Sequence, residues 1–221
     1  MAAEDLNEDD EHGAEEAPEL DEETLERRRQ ALGEVRQFGD PVLKSKASSV
    51  TDFGPGLEAE AERMIGLMQG ALGIGLAATQ LGTMRRLLVF QAGPDAEPRA
   101  IVNPEVEWTS DDLVVAEEGC LSLANVLVDV ERPLHARVNA VDLSGTPILI
   151  EASGLEARVL QHEIDHLDGV LILDRTERKQ RRAALRALRS GERFDPSMLE
   201  AAEEPDAAGD AIGEEEPQPD L

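Results

Sequence analysis

The residues of this 221-residue chain with the most chemistry to offer are His162, Glu163 and His166, in the run Gln161-His-Glu-Ile-Asp-His166. The pattern is H-E-x-x-H. On a helix, positions i and i+4 share a face, so the two imidazoles can grip a single metal ion. Glu163 stands about 100° further round the helix, placed to touch a metal's water rather than the metal. The same letters also fit two surface histidines beside two acids on a solvated face. Cys120, in Glu118-Gly-Cys-Leu-Ser122, is the single cysteine, so no internal disulfide can form and a reducing compartment is expected. A lone thiol is commonly a small core hydrophobe. As a thiolate it is a soft ligand for iron or zinc, and two helix histidines need a third partner. Three protein ligands with one open position is the arrangement of a catalytic metal. The longer metzincin signature fails, because Ile172 stands where its third histidine belongs. Glu177 and Glu192, the downstream acids a zincin would need, fall in a charged helical stretch where pairs such as Glu177 with Arg181 read as surface.

These residues need elements to position them. Ser153 stands three residues before Glu156, the spacing of a capping box, and Leu155, Val159, Leu160, Ile164 and Leu167 then recur at helical period. The metal motif is therefore expected on a helix over 154–167. A second helix is expected over 57–70, where Leu57, Ala61, Met64, Ile65 and Met68 repeat after Pro55-Gly56. It runs into Gly73-Ile-Gly-Leu-Ala-Ala-Thr-Gln80, which imitates a dinucleotide fingerprint but follows a helix instead of a strand. Two readings remain for this stretch: a tight glycine-permitted backbone, or a loop that lets backbone approach a ligand. Gln80 is its one side chain with an amide to offer. Strands are expected over 86–91, 98–108 (interrupted at Asn103-Pro104), 113–115 and 126–130, with a hairpin over 135–142 and 147–151. His135 shares a strand face with Arg137 and Asn139 and reads as solvent-facing; His12 sits in an acidic run.

The net charge of -27 is concentrated at the ends. Residues 1–26 hold thirteen Asp or Glu and no Lys or Arg, and residues 200–221 hold nine and none. Such segments bury too little apolar surface to offset their ordering entropy. Disordered acidic tails are expected over 1–26 and 193–221, around a catalytic domain at 27–192 that includes a basic helix at about 175–190. The N-terminal run has neither the basic start and apolar stretch of a signal peptide nor the Arg-rich character of a transit peptide. No apolar run is long enough to span a bilayer. A cytoplasmic protein without membrane or DNA partners is expected; four Phe, one Trp and no Tyr also leave little for bases to stack on.

Taken together, Gly73–Gln80, Glu118–Ser122 and Gln161–His166, in that order, closely resemble the motifs of the bacterial peptide deformylase family. Gln37-Phe-Gly-Asp-Pro-Val-Leu43 and Asn103-Pro104 are similar to its secondary signatures, and the resemblance covers roughly residues 34–190. A departure lies at Ala124-Asn125, where the family commonly has proline and where its substrate groove is flanked. The resemblance implies an α+β fold, with antiparallel β-sheets around a central H-E-x-x-H helix. It implies removal of the formyl group from the N-terminal methionine of newly made proteins, so N-formylmethionyl nascent peptides are the expected partners. Docking on the ribosome through the basic stretch Arg175–Arg189 is a further expectation. In this comparison Cys120, His162 and His166 hold one Fe²⁺ ion, although zinc generally binds a given site more tightly and sequence leaves Zn²⁺ or another divalent metal open. Glu163 carries the proton of the attacking water, while the Gln80 amide and the Leu121 backbone N–H serve the developing oxyanion. Gly75, Gly119 and Ile74 are expected to bind substrate, with Leu121 and Val159 beside the methionine side chain. Two other readings are a general H-E-x-x-H metallopeptidase and a non-catalytic, metal-stabilised interaction protein. Glu163 separates the last from the enzymes, because a scaffold has no need of a carboxylate next to the first metal histidine.

Overall fold

The computed structural model describes residues 20–201. Seven strands and six helices follow one another as α1 (Glu22–Gly33), α2 (Pro55–Gly70), β1 (Gly75–Ala77), β2 (Leu87–Phe90), β3 (Arg99–Thr109), β4 (Leu113–Cys120), β5 (Leu123–Pro133), β6 (His135–Val141), β7 (Pro147–Ser153), α3 (Gly154–Leu167), α4 (Ile172–Arg175), α5 (Arg178–Ser190) and α6 (Ser197–Glu200). Five strands form an antiparallel sheet in the order β1-β2-β3-β6-β7, and β4 and β5 form a separate hairpin. The fold is the α+β arrangement expected, with the H-E-x-x-H helix α3 at its centre.

The central strands read as continuous apolar runs because both sheet faces are covered. In β2, Leu88 and Phe90 turn towards α3 and meet Leu160, Ile164 and Leu167. Leu87 and Val89 turn the other way and meet Met64 and Met68 of α2. A third cluster packs α4 and α5 against the hairpin, with Val128 and Val130 against Ile172, Leu173 and Ala184. Each face of an alternating strand thus holds one helix, and α3 is fixed between the sheet and the hairpin.

Local chemistry departs from expectation in two places. Ser153 occupies the N-cap position of α3 but makes no capping hydrogen bond. The strand runs straight into the helix: Ser153 still pairs with His135, and Gly154, at φ +57, donates to the Leu134 carbonyl at 2.8 Å. Glu156 faces Arg99 at 3.6 Å instead of closing a capping box. At Asn103-Pro104 the chain does not leave the sheet. Asn103 takes φ +50, the register shifts, and its side chain clamps Val50 at both N–H and carbonyl, at 2.8 and 2.9 Å.

Described elements also lie beyond both expected domain boundaries. α1 begins at Glu22, capped by Asp21, which accepts from the Thr24 N–H at 2.7 Å. Beyond residue 192, Phe194 is buried and bridges to Val126. Average composition hides a single aromatic in a polar run, and that aromatic anchors the segment. Residues 1–19 and 202–221, including His12, lie outside the described residues. Among the described residues, no helix is long and apolar enough to cross a membrane.

Two expectations follow from this packing. Phe194→Ala should lower the free energy of unfolding by about 3 kcal/mol, the cost of emptying a buried aromatic site, measured by urea denaturation; an unchanged midpoint would mean the segment does not dock. Asp174 accepts from the Leu171 N–H at 2.8 Å and pairs with Lys44. Burial opposes ionisation there, but these partners hold its carboxyl below the ordinary 3.8. A depressed carboxylate pKa stabilises the fold above the unfolded value and loses that contribution as pH falls through the folded one. The stability gap between wild type and Asp174→Asn should therefore be full at neutral pH and close below about pH 4.

Candidate metal centre

β4 ends on Cys120, where a register shift after Gly119 turns the chain, and α3 places His162 and His166 on the face opposite it. The sulfur lies 3.2 Å from His166 Nε2, which lies 3.2 Å from His162 Nε2. All three ligand atoms fall within 4.8 Å of one another. The His162 Nδ1–H donates to Glu118 Oε2 at 2.9 Å, which fixes its tautomer and leaves the Nε2 lone pair facing the sulfur. Ser122 N–H and the Gln80 amide donate to the sulfur at 3.4 and 3.7 Å.

The arrangement fits a cation. Burial alone would lower the His162 pKa, yet its bonds to Cys120 and Glu118 and the nearby Glu163 charge push it up to about 10. Burial and the His162 charge drive His166 the other way. Two imidazole nitrogens and a sulfur converge within 4.8 Å, a donor set that suits one cation among them. A soft divalent ion fills that role with both rings neutral.

Glu118 is the hub behind the ligands. Burial works against its charge, but His162 and Arg132 bring its pKa down to about 2. The Arg132 Nε and Nη2 donate to it at 2.6 and 3.0 Å, and Arg158 Nη1 at 2.6 Å. Arg132 also reaches Asp165 at 2.9 Å, and Asp165 receives Arg175 at 2.5 and 3.1 Å. None of Glu118, Arg132, Arg158, Asp165 and Arg175 was assigned a place behind the site from sequence. A usable signal existed: Arg132 follows the apolar run of β5, and Asp165 lies between the two histidines on a helix face that is otherwise buried. Arg175, expected at the start of the basic stretch, instead ends α4 and serves Asp165; the basic helix itself starts at Arg178.

Glu163 lies on the same turn, 3 % exposed, with its Oε2 lacking any protein partner. Burial pushes its pKa up to about 7 against the lowering charges of His162 and Arg132. Gly75 makes room for it, since a Cβ there would come within 2.8 Å of the carboxyl carbon. The Gly73–Gln80 stretch is neither a bare loop nor a phosphate cradle. Its middle is β1, paired with β2, which brings the Gly75 backbone over Glu163. Gln80 Oε1 accepts from the Ala77 N–H at 2.9 Å, so its amide NH₂ is the end that faces Cys120 and Ser122. A groove of about 650 Å³ opens here, with residues 72–75 on one wall and residues of the 117–127 hairpin turn on the other. Ile74, Gly75, Gln80, Gly119, Cys120, Leu121, His162 and Glu163 all line it, along with Val159. His166 is 1 % exposed and completes the set from within. His135 is half-buried at the start of β6 and takes no part.

The polypeptide deformylase family model matches residues 32–182. This chain belongs to that family. Peptide deformylase 1 of Corynebacterium glutamicum is 41% identical over 167 residues, covering 75% of this chain and 99% of the relative. Peptide deformylase of Thermotoga neapolitana is 44% identical over 147 residues, 66% of this chain and 88% of the relative. Among solved structures, a peptide deformylase from Synechococcus elongatus in complex with actinonin superposes with a TM-score of 0.67 at 40% identity, covering 72% of this chain and 87% of that one. The Thermus thermophilus peptide deformylase gives 0.67 at 40%, over 71% and 93%. In this chain the fold brings Cys120, His162 and His166 together on its central helix and hairpin.

Because Arg132 is 4 % exposed, removing it strands buried carboxylates. Arg132→Ala should cost about 3–5 kcal/mol of stability, and Arg132→Met with Glu118→Gln should cost less than the sum of the two single changes. Additive losses in denaturant melts would show that the two residues do not act as a pair.

Proposed function

We propose that this chain hydrolyses the formamide at the N-terminal methionine of newly made proteins, releasing formate and a free amine. The observation that carries the proposal is Glu163: a buried carboxyl, near-neutral in pKa, with one unpartnered oxygen beside three converging metal-ligand atoms at the base of a peptide-sized groove. Cys120, His162 and His166 would hold one divalent ion, Fe²⁺ in our reading, with Zn²⁺ also suited to this donor set. When bound, the ion supplies Lewis-acid polarisation of the formyl carbonyl and acidifies water.

The remaining steps belong to the protein. Glu163 accepts a proton from the attacking water as the oxygen joins the formyl carbon, and then delivers it to the departing amine nitrogen. Burial raises the proton affinity of this carboxyl above that of an exposed glutamate, which favours its taking up the water's proton. The Gln80 Nε2–H and the Leu121 N–H donate to the formyl oxygen as negative charge grows on it. Gln80 is preorganised for this by the bond from Ala77 to its Oε1. Such a donor contributes about 2.7–4 kcal/mol to the transition state. Gly75 and Gly119 line the path of the peptide, and their missing Cβ atoms leave room for the Glu163 carboxyl and the Leu127 side chain. Ile74, 47% exposed at the lip, offers apolar surface to the methionine side chain, with Leu121 and Val159 deeper in.

A formylated nascent chain places the enzyme at the ribosome and in the cytoplasm. Helix α5 suits such docking: Ala183, Ala184 and Ala187 face the core, and Arg178, Arg182, Arg186 and Arg189 lie exposed. A general metallopeptidase is the weaker reading, because the third ligand is a cysteine in a deformylase motif. A scaffold is weaker still, because Glu163 would then be a buried acid without a task.

Formate release from an N-formyl-Met-Ala-Ser peptide tests the reading. Anaerobically prepared, iron-loaded protein should release formate rapidly, and Glu163→Gln should lose at least about 10²-fold in kcat with its metal content unchanged. A fully metallated protein that releases none would refute the function.

A further inference from the structure

Two arginines left idle by the mechanism line the groove: Arg28 on α1 and Arg193 just beyond α5. Both lie outside residues 32–182, so segments beyond the matched family region bring them there. Arg28 belongs to the first wall. Helix α1 packs on α2, and α2 ends at Gly70, two residues before the 72–75 wall. Arg193 belongs to the second. The Phe194 N–H donates to the Asn125 carbonyl at 3.0 Å, and the Phe194 carbonyl accepts from Leu127 N–H at 2.9 Å. This pairing seizes the chain where Asn125 adopts φ +61, at the Ala124-Asn125 departure from the family's usual proline. The segment around Phe194 therefore holds the groove wall and carries Arg193 with it.

Among the described residues, neither guanidinium group is buried or held by a carboxylate of the groove. Arg28 makes no side-chain hydrogen bond or ion pair among the described residues. Arg193 has a side chain 70% exposed and, among the described residues, pairs with Asp195 at 3.3 Å. The other charges of the groove are committed or few: Arg158 is held by Glu118, Glu163 belongs to the chemistry, and Glu117 is the remaining acid, exposed on β4.

We propose that Arg28 and Arg193 make the enzyme favour nascent chains with acidic residues at positions three and four after the formyl group. This rests on the deformylase reading of the groove. Position follows from strand geometry. Gly119, Leu127 and Phe194 are successive neighbours across two pairings, so the Phe194 backbone, next to Arg193, stands about 10 Å, two strand spacings, from Gly119 beside Cys120. An extended peptide covers that distance in about three residues.

The test compares kcat/KM for formyl-Met-Ala-Glu-Glu, formyl-Met-Ala-Ser-Ser and formyl-Met-Ala-Lys-Lys with the metal-loaded full chain. Exposed ion pairs are individually weak, so about threefold per arginine, or about tenfold for acidic over neutral peptide, is expected. The preference should reside in KM, because the contacts are made equally in ground and transition states. It should fade in about 1 M salt, where the screening length is ~3 Å. It should collapse in Arg28→Ala/Arg193→Ala and survive in Arg28→Lys/Arg193→Lys. Equal values for the three peptides in wild type, or a preference that persists in the double alanine variant, would overturn the inference while leaving deformylation intact. No formate from any of the three peptides would overturn the deformylase reading, and this inference with it.

Discussion

The buried contact between Glu118 and Arg132 is the interaction on which the site depends. Glu118 is 6% exposed and Arg132 4%, so each must find its full set of partners inside the protein. A charge left unpaired at such depth costs several kcal/mol, and the fold responds by closing a network: Arg132 and Arg158 on Glu118, Arg132 and Arg175 on Asp165. The members come from β4, β5, α3 and α4. The network therefore ties the hairpin that carries Cys120 to the helix that carries both histidines.

That coupling has a chemical consequence. Glu118 is ionised throughout the physiological range, and its second oxygen orients His162. A fixed tautomer and a fixed ring keep the Nε2 lone pair aimed at the space shared with Cys120 and His166. On the groove side, Gly75 leaves room for the Glu163 carboxyl, and the Ala77 N–H donates to Gln80 Oε1, which turns the amide NH₂ towards Cys120. The Cys120, His162 and His166 cluster, Glu163 and the Gln80 amide are thus each positioned by neighbouring groups. A rigid site of this kind needs little reorganisation when substrate arrives.

Much of this was legible in the sequence because it is local. Spacing alone puts His162 and His166 on one face of α3, and α2 announces itself through Met64 and Met68 at helical period. The hairpin over β6 and β7 follows from alternation and a Ser-Gly turn. The role of Cys120 as third ligand rested on chemical need and on family likeness. What the sequence hid is what depends on distance. Glu118 and Arg132 are fourteen positions apart, with no local pattern to link them, and Arg175 reads as one more cation in a basic run. Ser153 has the letters of a capping box, but its backbone is already taken by β6. Phe194 escaped notice because its partners, Asn125 and Leu127, are strand residues some seventy positions earlier. Local rules fail where tertiary pairing reaches a residue first.

The central claim is that one cysteine and two histidines of this chain bind a single divalent ion. X-ray absorption at the metal edge of zinc-loaded protein measures that directly. One sulfur at about 2.3 Å and two imidazole nitrogens at about 2.0–2.1 Å are expected, with the sulfur lost in Cys120→Asp. A first shell without sulfur, or with four nitrogen or oxygen ligands unchanged by that substitution, would contradict the account.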